Sequence, residues 1–310
     1  VITYKGLSTE DAALFGAYPH PASPEVGFER RIDPAKYLAE GRYRPEWMWV
    51  AVDGETVVAR MAFGGFPGDD EPYCVDWFEI GERPDRIAIG AELMRRAYAA
   101  VHKGQGPRPS YLLPTPTEWR GREGVRDVVG DRIAAAEAAG LSVFVERHGF
   151  HWTPDAGLPL RPARLTFTEG TDEDFVKAVA DSYTGTLDAY TGDDTRRIGA
   201  TATAEQEVGD LLKYPRGRDW WRLAHDADGS PVGAIFPAHT PTTPVIGYLA
   251  VLPGHRGKGY VDDLLAEMTH ILRDEGAEKI VANTDLANVP MKAAFDRAGF
   301  TTDSCRIDLR

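Results

Sequence analysis

The chain has 310 residues, which at about 150 residues per domain sets an expectation of two domains, and its 43% hydrophobic content is enough to build real cores. Asp and Glu number 48 against 35 Lys and Arg, a formal charge of −13 that repels a long phosphate backbone and so argues against nucleic acid as a partner. The same surplus attracts an amine-bearing small substrate, although acid excess is also an ordinary solubility device.

No apolar run reaches the ~18 residues of a membrane span, and Val1–Lys5 is not a charged leader followed by an apolar stretch. A cytoplasmic protein without membrane attachment is therefore expected. Cys74 and Cys305, in strand-like runs of different expected domains, read as buried small side chains; neither a disulfide framework nor a metal site is expected, since no His/Cys/Asp cluster has ligand spacing.

In chain order, residues 49–62 read as a hairpin turning at Asp53-Gly54. A strand over 73–80, a helix over 88–101, a strand over 110–113 and a helix over 133–140 follow, closed by His148-Gly149-Phe150. Residues 153–162, rich in Pro and Gly, read as a linker. The order then repeats: a hairpin over 221–235 turning at Asp228-Gly229, a strand over 245–252, a helix over 260–272, a strand over 279–283, and a last helix with Pro290 in its first turn and Gly299 as C-cap. The first half reads as a worn copy of the second, giving domains 1–152 and 163–310 joined by 153–162.

The second copy carries a feature the first lacks. Between its strand and helix lies Pro253-Gly254-His255-Arg256-Gly257-Lys258-Gly259-Tyr260, a basic glycine turn at a helix start, where unpaired N–H groups and the helix dipole favour an anion. Lys258 is followed by Gly259 rather than a hydroxyl residue, which excludes a Walker loop; Asp262 stands where a dinucleotide fingerprint needs its third glycine. In the first copy the corresponding stretch, 81–90, holds Glu82, Pro84 and Asp85, which would repel a pyrophosphate.

The turn resembles the R-x-x-G-x-G/A loop of the GNAT superfamily of acyl-CoA-dependent N-acyltransferases, and residues 283–300 resemble that family's N-x-x-x-N-x-P-M segment ending in A-G-F. The two motifs together span roughly residues 215–310. The resemblance implies an α/β (α+β mixed sheet) chain of two tandem GNAT folds, each a mostly antiparallel sheet splayed at the cofactor site and flanked by helices. Its first copy is degenerate, as in mycothiol synthase. It implies acetyl-CoA or another acyl-CoA as co-substrate, held by Leu249, Ala250, Val251, Arg256, Gly257, Lys258, Gly259, Tyr260, Val261 and Asn288. Acyl transfer, acetyl in the first instance, would go to an amine on a small molecule by direct attack in a ternary complex, with a strand N–H around Leu249–Val251 meeting the oxyanion. A monomer is expected, because paired copies satisfy each other internally.

The ammonium must lose a proton before it attacks, and the candidates for that work are Asp285, Asp188 and Tyr190, with Asp193 and Asp194 beside them. Each has a bland alternative: a solvated loop acid, or for Asp285 a turn cap. His225 and His239 titrate in the right range and read as surface histidines; Trp220, Trp221 and Tyr248 read as an aromatic wall or as core. Two residues depart from the family pattern. Phe295 stands where a tyrosine often meets the departing thiolate, and Val261 stands where Gly or Ala lets the pyrophosphate approach. Val261 leaves open a phosphopantetheinyl carrier-protein donor, and the two departures together leave open a non-catalytic acyl-CoA sensor.

Overall fold

The structure, a computed structural model, describes residues 1–20, 23–29, 32–104 and 107–310. Its contacts divide the chain into two compact units, one joining Val1–Glu146 to Ser304–Arg310 and the other comprising Arg147–Asp303. Each is a mixed α/β body built on a mostly antiparallel sheet with helices packed against it.

The first unit opens with β1 (Ile2–Gly6), α1 (Ala13–Gly16) and α2 (Pro34–Ala39), the last begun by Asp33, whose carboxylate accepts from the Ala35 and Lys36 N–H groups. The hairpin of β2 (Met48–Asp53) and β3 (Thr56–Gly64) turns at Asp53-Gly54, as its sequence requires. Then come β4 (Cys74–Ile80), α3 (Arg86–Val101), β5 (Ser110–Thr115), α4 (Glu123–Ala138) and β6 (Val143–Trp152). From Val57 to Gly64 β3 is buried without alternation, the mark of a central strand covered on both faces. Leu93, Met94, Ala97 and Tyr98 of α3 fall at helical spacing and enter the same core. Neighbouring strands pair antiparallel except β4 and β5, which are parallel at Cys74↔Ser110 and Val75↔Tyr111.

The second unit repeats the plan. After β6 the chain runs through β7 (Thr166–Thr168), α5 (Asp172–Ser182), α6 (Ala189–Ile198), α7 (Ala200–Leu212), β8 (Arg222–His225), β9 (Pro231–His239), β10 (Pro244–Val251), α8 (Tyr260–Asp274), β11 (Ile280–Asp285) and α9 (Val289–Arg297), and ends in β12 (Thr301–Leu309). A capping box between Thr171 and Asp174 starts α5. β10 and β11 are the parallel pair, again between antiparallel neighbours.

The closing strand of each unit comes from the other half of the sequence. Residues 305–309 of β12 pair with β5, burying Ile307 and Leu309 in the first core, whereas residues 147–152 of β6 pair with β11 and bury Phe150 and Trp152 in the second. Division in chain order at 152 and 163 therefore differs from the division by packing at 146/147 and 303/304. Cys305 consequently belongs with Cys74 in the first unit, both buried as free thiols. The Pro/Gly stretch 153–162 is tied to the second unit: Trp152 Nε1 donates to the Gly157 carbonyl, Arg161 pairs with Asp274, and His270 bonds the Pro159 carbonyl.

Candidate active site

β10 and β11 pair at Val245↔Val281, and β10 then runs on to Val251 without further pairing to β11. N–H direction along an antiparallel strand alternates. Leu252 N–H donates to Val232 O next to β9, so Ala250 faces β9 as well, and the Leu249 and Val251 N–H groups point the other way, into the gap. The register of β9 and β10 slips at Gly247, a bulge of the kind that re-aims a strand beside a site. A cavity of about 440 Å³ occupies the gap, with Leu249, Ala250 and Val251 along its wall.

At one end the wall becomes the glycine turn. Gly259, the residue before α8, has φ +76°, a left-handed conformation that side chains resist, and Gly257 has φ +74°. Both line the cavity with Arg256, Tyr260 and Val261, and Val261 also packs on the second core. Arg256 does not extend outward as a free cation: its guanidinium donates to the carbonyls of Val251, Thr184 and Ser182, stitching the turn to the segment after α5. Lys258 is exposed and is not part of the cavity wall. Asp262 and Asp263, acids in the first turn of α8, are neutralised by Arg297 and by Arg164 respectively; Arg164 also donates to the Lys258 carbonyl and lies over the Tyr260 ring. Asp262 is thus paired, and Arg164 brings a guanidinium to the turn that sequence spacing could not place there. Asn288 lines the cavity while its side-chain oxygen caps α9 at the Met291 N–H.

At the other end the expected acids divide. Asp285 is 2% exposed and does not line the cavity. It is ion-paired with Arg147 Nε at 3.0 Å and accepts from the Ala189 N–H at 2.6 Å, which ties it to the start of α6. Asp188 does line the cavity, as the N-cap of α6, accepting from Thr191 N–H and pairing with Arg147 at 3.1 Å. Tyr190 lies outside the cavity wall, under the Arg147 guanidinium at 5.9 Å from its ring centre. Asp193 and Asp194, expected in a loop, are on α6 and pair with Arg196 and Arg197 one turn on. Trp221 is core; Tyr248 lines the cavity, and burial raises its hydroxyl above the usual tyrosine range. Phe295 stacks on Phe150 with ring centres 4.6 Å apart and lines the cavity.

Sequence reading missed Glu207. It is half-buried on α7, outside the cavity wall and one turn before Leu211, whose Cδ2 would stand 3.1 Å from a Cβ placed on Gly247 of the bulge. Its carboxyl is raised to about 7, first by burial and then by the neighbouring charge of Asp188. Among the described residues it is in no ion pair. Mid-helix glutamates are common, and only the packing of α7 on β10 distinguishes this one. Among the described residues no group of His, Cys, Asp and Glu is arranged to hold a metal ion, and no helix is long and apolar enough to cross a membrane.

A central parallel strand pair between antiparallel neighbours occurs in both units, and in the second it parts beside a glycine turn at a helix start, in keeping with an acetyltransferase fold. Residues 187–300 match the family model described as Acetyltransferase (GNAT) family, so this segment is similar to the GNAT acetyltransferases. A GCN5-related N-acetyltransferase from Sphaerobacter thermophilus shares the fold at 16% identity and a TM-score of 0.64, over 99% of this chain and 94% of that one. A tandem GNAT protein from the clavulanic acid biosynthesis pathway aligns over 100% and 98% of the two chains at 18% identity and a TM-score of 0.55. No curated protein matches the sequence significantly.

Proposed function

We propose that the second unit transfers an acyl group, acetyl in the first instance, from acyl-CoA to an amine on a small molecule, in a ternary complex without a covalent acyl-enzyme. The observation that carries this reading is the pair of inward-facing N–H groups at Leu249 and Val251 in a cavity that ends at the Gly257–Val261 turn. The pantetheine arm lies along β10 with Asn288 across from it. The pyrophosphate rests on the backbone at Gly257, Lys258, Gly259 and Tyr260, with Arg164 and Lys258 close by. Arg256 holds the turn in shape through three carbonyls. Val261 packs partly on the core while it lines the cavity.

The amine enters between Asp188 and Tyr248. Glu207, behind the cavity wall, takes the proton from the substrate ammonium by way of the Tyr248 side of the cavity, and the neutral nitrogen attacks the thioester carbon. Leu249 N–H stabilises the oxyanion as the C–N bond forms; the C–S bond then breaks, and the nitrogen's surplus proton leaves with the CoA thiol. A thiol of pKa ~8.5 is a tolerable leaving group unaided, which is why Phe295 suffices where relatives carry a hydroxyl. Asp188 and Asp285 hold Arg147 and so position the start of α6. Glu207→Gln tests the assignment. Turnover is expected to fall by ~10²–10⁴ and the acid limb of kcat/KM near pH 7 to vanish, with acyl-CoA affinity unchanged. A variant that keeps that limb removes Glu207 from the chemistry, and a trapped acyl-enzyme would overturn direct attack.

A further inference from the structure

The two units share a strand register at their central gaps. β3 and β4 slip at Asp76 as β9 and β10 slip at Gly247, and Cys74↔Ser110 corresponds to Val245↔Val281. Gly81 N–H donates to Val58 O as Leu252 N–H donates to Val232 O. Counted from either landmark, Phe78 is the counterpart of Leu249, and its N–H is the one that faces the gap.

In the first unit that N–H is already taken. Glu29 Oε1 accepts from Phe78 N–H at 2.9 Å, and the same oxygen pairs with Arg132 at 3.0 Å. Glu29 is 5% exposed and Arg132 4%. The segment leading to Glu29 is laced into the gap: Gly27 N–H donates to the Pro114 carbonyl of β5 at 2.9 Å, and Val26 is wholly buried in the first core. Gly27 has φ +84°, which favours glycine, and a Cβ there would stand 1.6 Å from Glu29 Oε2 and displace that carboxylate. The corresponding segment of the second unit, after α5, borders an open cavity instead.

We propose that the first unit is a self-liganded copy of the acyl cleft, in which the Glu29 carboxylate stands where the thioester oxygen stands in the second unit and Arg132 supplies the counter-charge. The first unit therefore takes no acyl-CoA, and truncating Glu29 uncovers a site for a small free carboxylate. The identity of the imitated atom rests on the reading of the second cleft given above; the occupied site does not, and the thermal test of it uses no acyl-CoA.

The test is thermal unfolding of the full chain, wild type, Glu29→Ala and Glu29→Gln, titrated with sodium acetate against sodium chloride at equal ionic strength. Glu29→Ala unfolds earlier than wild type, and acetate raises its midpoint saturably by roughly 4–8 °C. Wild type and Glu29→Gln, whose side chains fill the site, do not respond. Where Glu29→Ala does not fold alone, refolding in acetate but not in chloride is the same result. Equal acetate responses in wild type and Glu29→Ala, or no recovery of Glu29→Ala, overturns the proposal. So does a second CoA per wild-type chain by calorimetry that persists in Gly259→Asp.

Discussion

Replacing Asp285 separates a strut from a base. Its carboxylate meets Arg147 Nε at 3.0 Å and the Ala189 N–H at 2.6 Å, and it is 2% exposed. Breaking a buried ion pair costs about 3–5 kcal/mol because a charge is left behind; Arg147, with 19% of its side chain exposed and Asp188 still 3.1 Å away, keeps half its compensation. Asp285→Asn retains an oxygen for the Ala189 N–H and loses only the charge, for an expected cost of about 2–3 kcal/mol. Asp285→Ala also strands that N–H, adding about 1–3 kcal/mol. At ~2–4 °C per kcal/mol, the Asn variant should unfold roughly 5–10 °C early and the Ala variant earlier still. Scanning calorimetry gives the midpoints, and a thiol-release assay well below them gives kcat/KM against pH. Both variants should keep the shape of the wild-type pH profile. An Asp285→Asn protein that unfolds within about 1 °C of wild type yet turns over more than ~100-fold more slowly would refute the strut and restore Asp285 as the base.

The Glu207 carboxyl, raised to about 7 by burial, disfavours the folded state once ionised. Glu207→Gln should therefore be more stable than wild type above pH 7, by a margin that shrinks as pH falls from about 7 and is gone below the unfolded value near ~4.3; denaturant midpoints at pH 8 and pH 4 check the sign. Gly259→Asp forces a side chain into φ +76° and adds an acid at the turn, so calorimetric affinity for acetyl-CoA should fall by more than ~10-fold, with any loss of stability held to about 1–2 kcal/mol. Phe295→Tyr should change kcat by less than ~10-fold, since the thiol needs little help to leave; a larger rise in steady-state turnover would show that leaving-group protonation limits the rate.

The glycine turn was legible because its chemistry is local: strand, turn and helix start are contiguous, and Gly257 and Gly259 have the positive φ that motivates glycine there. Both hairpins were legible for the same reason, through Asp53-Gly54 and Asp228-Gly229. What sequence could not supply was direction. Arg256 carries a charge that reads as phosphate-binding, yet three backbone carbonyls consume its donors, whereas Arg164, about ninety residues upstream, reaches the turn. Asp285 and Asp188 lie in similar acidic company in sequence, and only burial separates the strut from the wall. Glu207 gives no signal at all until α7 is packed on β10. The occupied gap of the first unit was half legible: the acids at 82 and 85 marked a lost loop, but Glu29, far from any motif, is what fills the site.

The exchange of closing strands had no sequence signal, because β6 and β12 follow similar helices and either order satisfies the same alternation. Its consequence bears on the site. Arg147, the cation that Asp188 and Asp285 share, lies before the Pro/Gly stretch and reaches the second unit only as part of β6. A second unit cut in chain order at residue 163 would lose Arg147, the β6 partner of β11 and the buried side chains of Phe150 and Trp152, each worth about 1.5–3 kcal/mol or more by area. It would also retain residues 304–310, whose Ile307 and Leu309 belong to the other core. The glycine turn would survive such a cut intact, and the acceptor wall would not. The motif that announces the activity therefore lies within one half of the sequence, while the charge network proposed to place the amine draws on both.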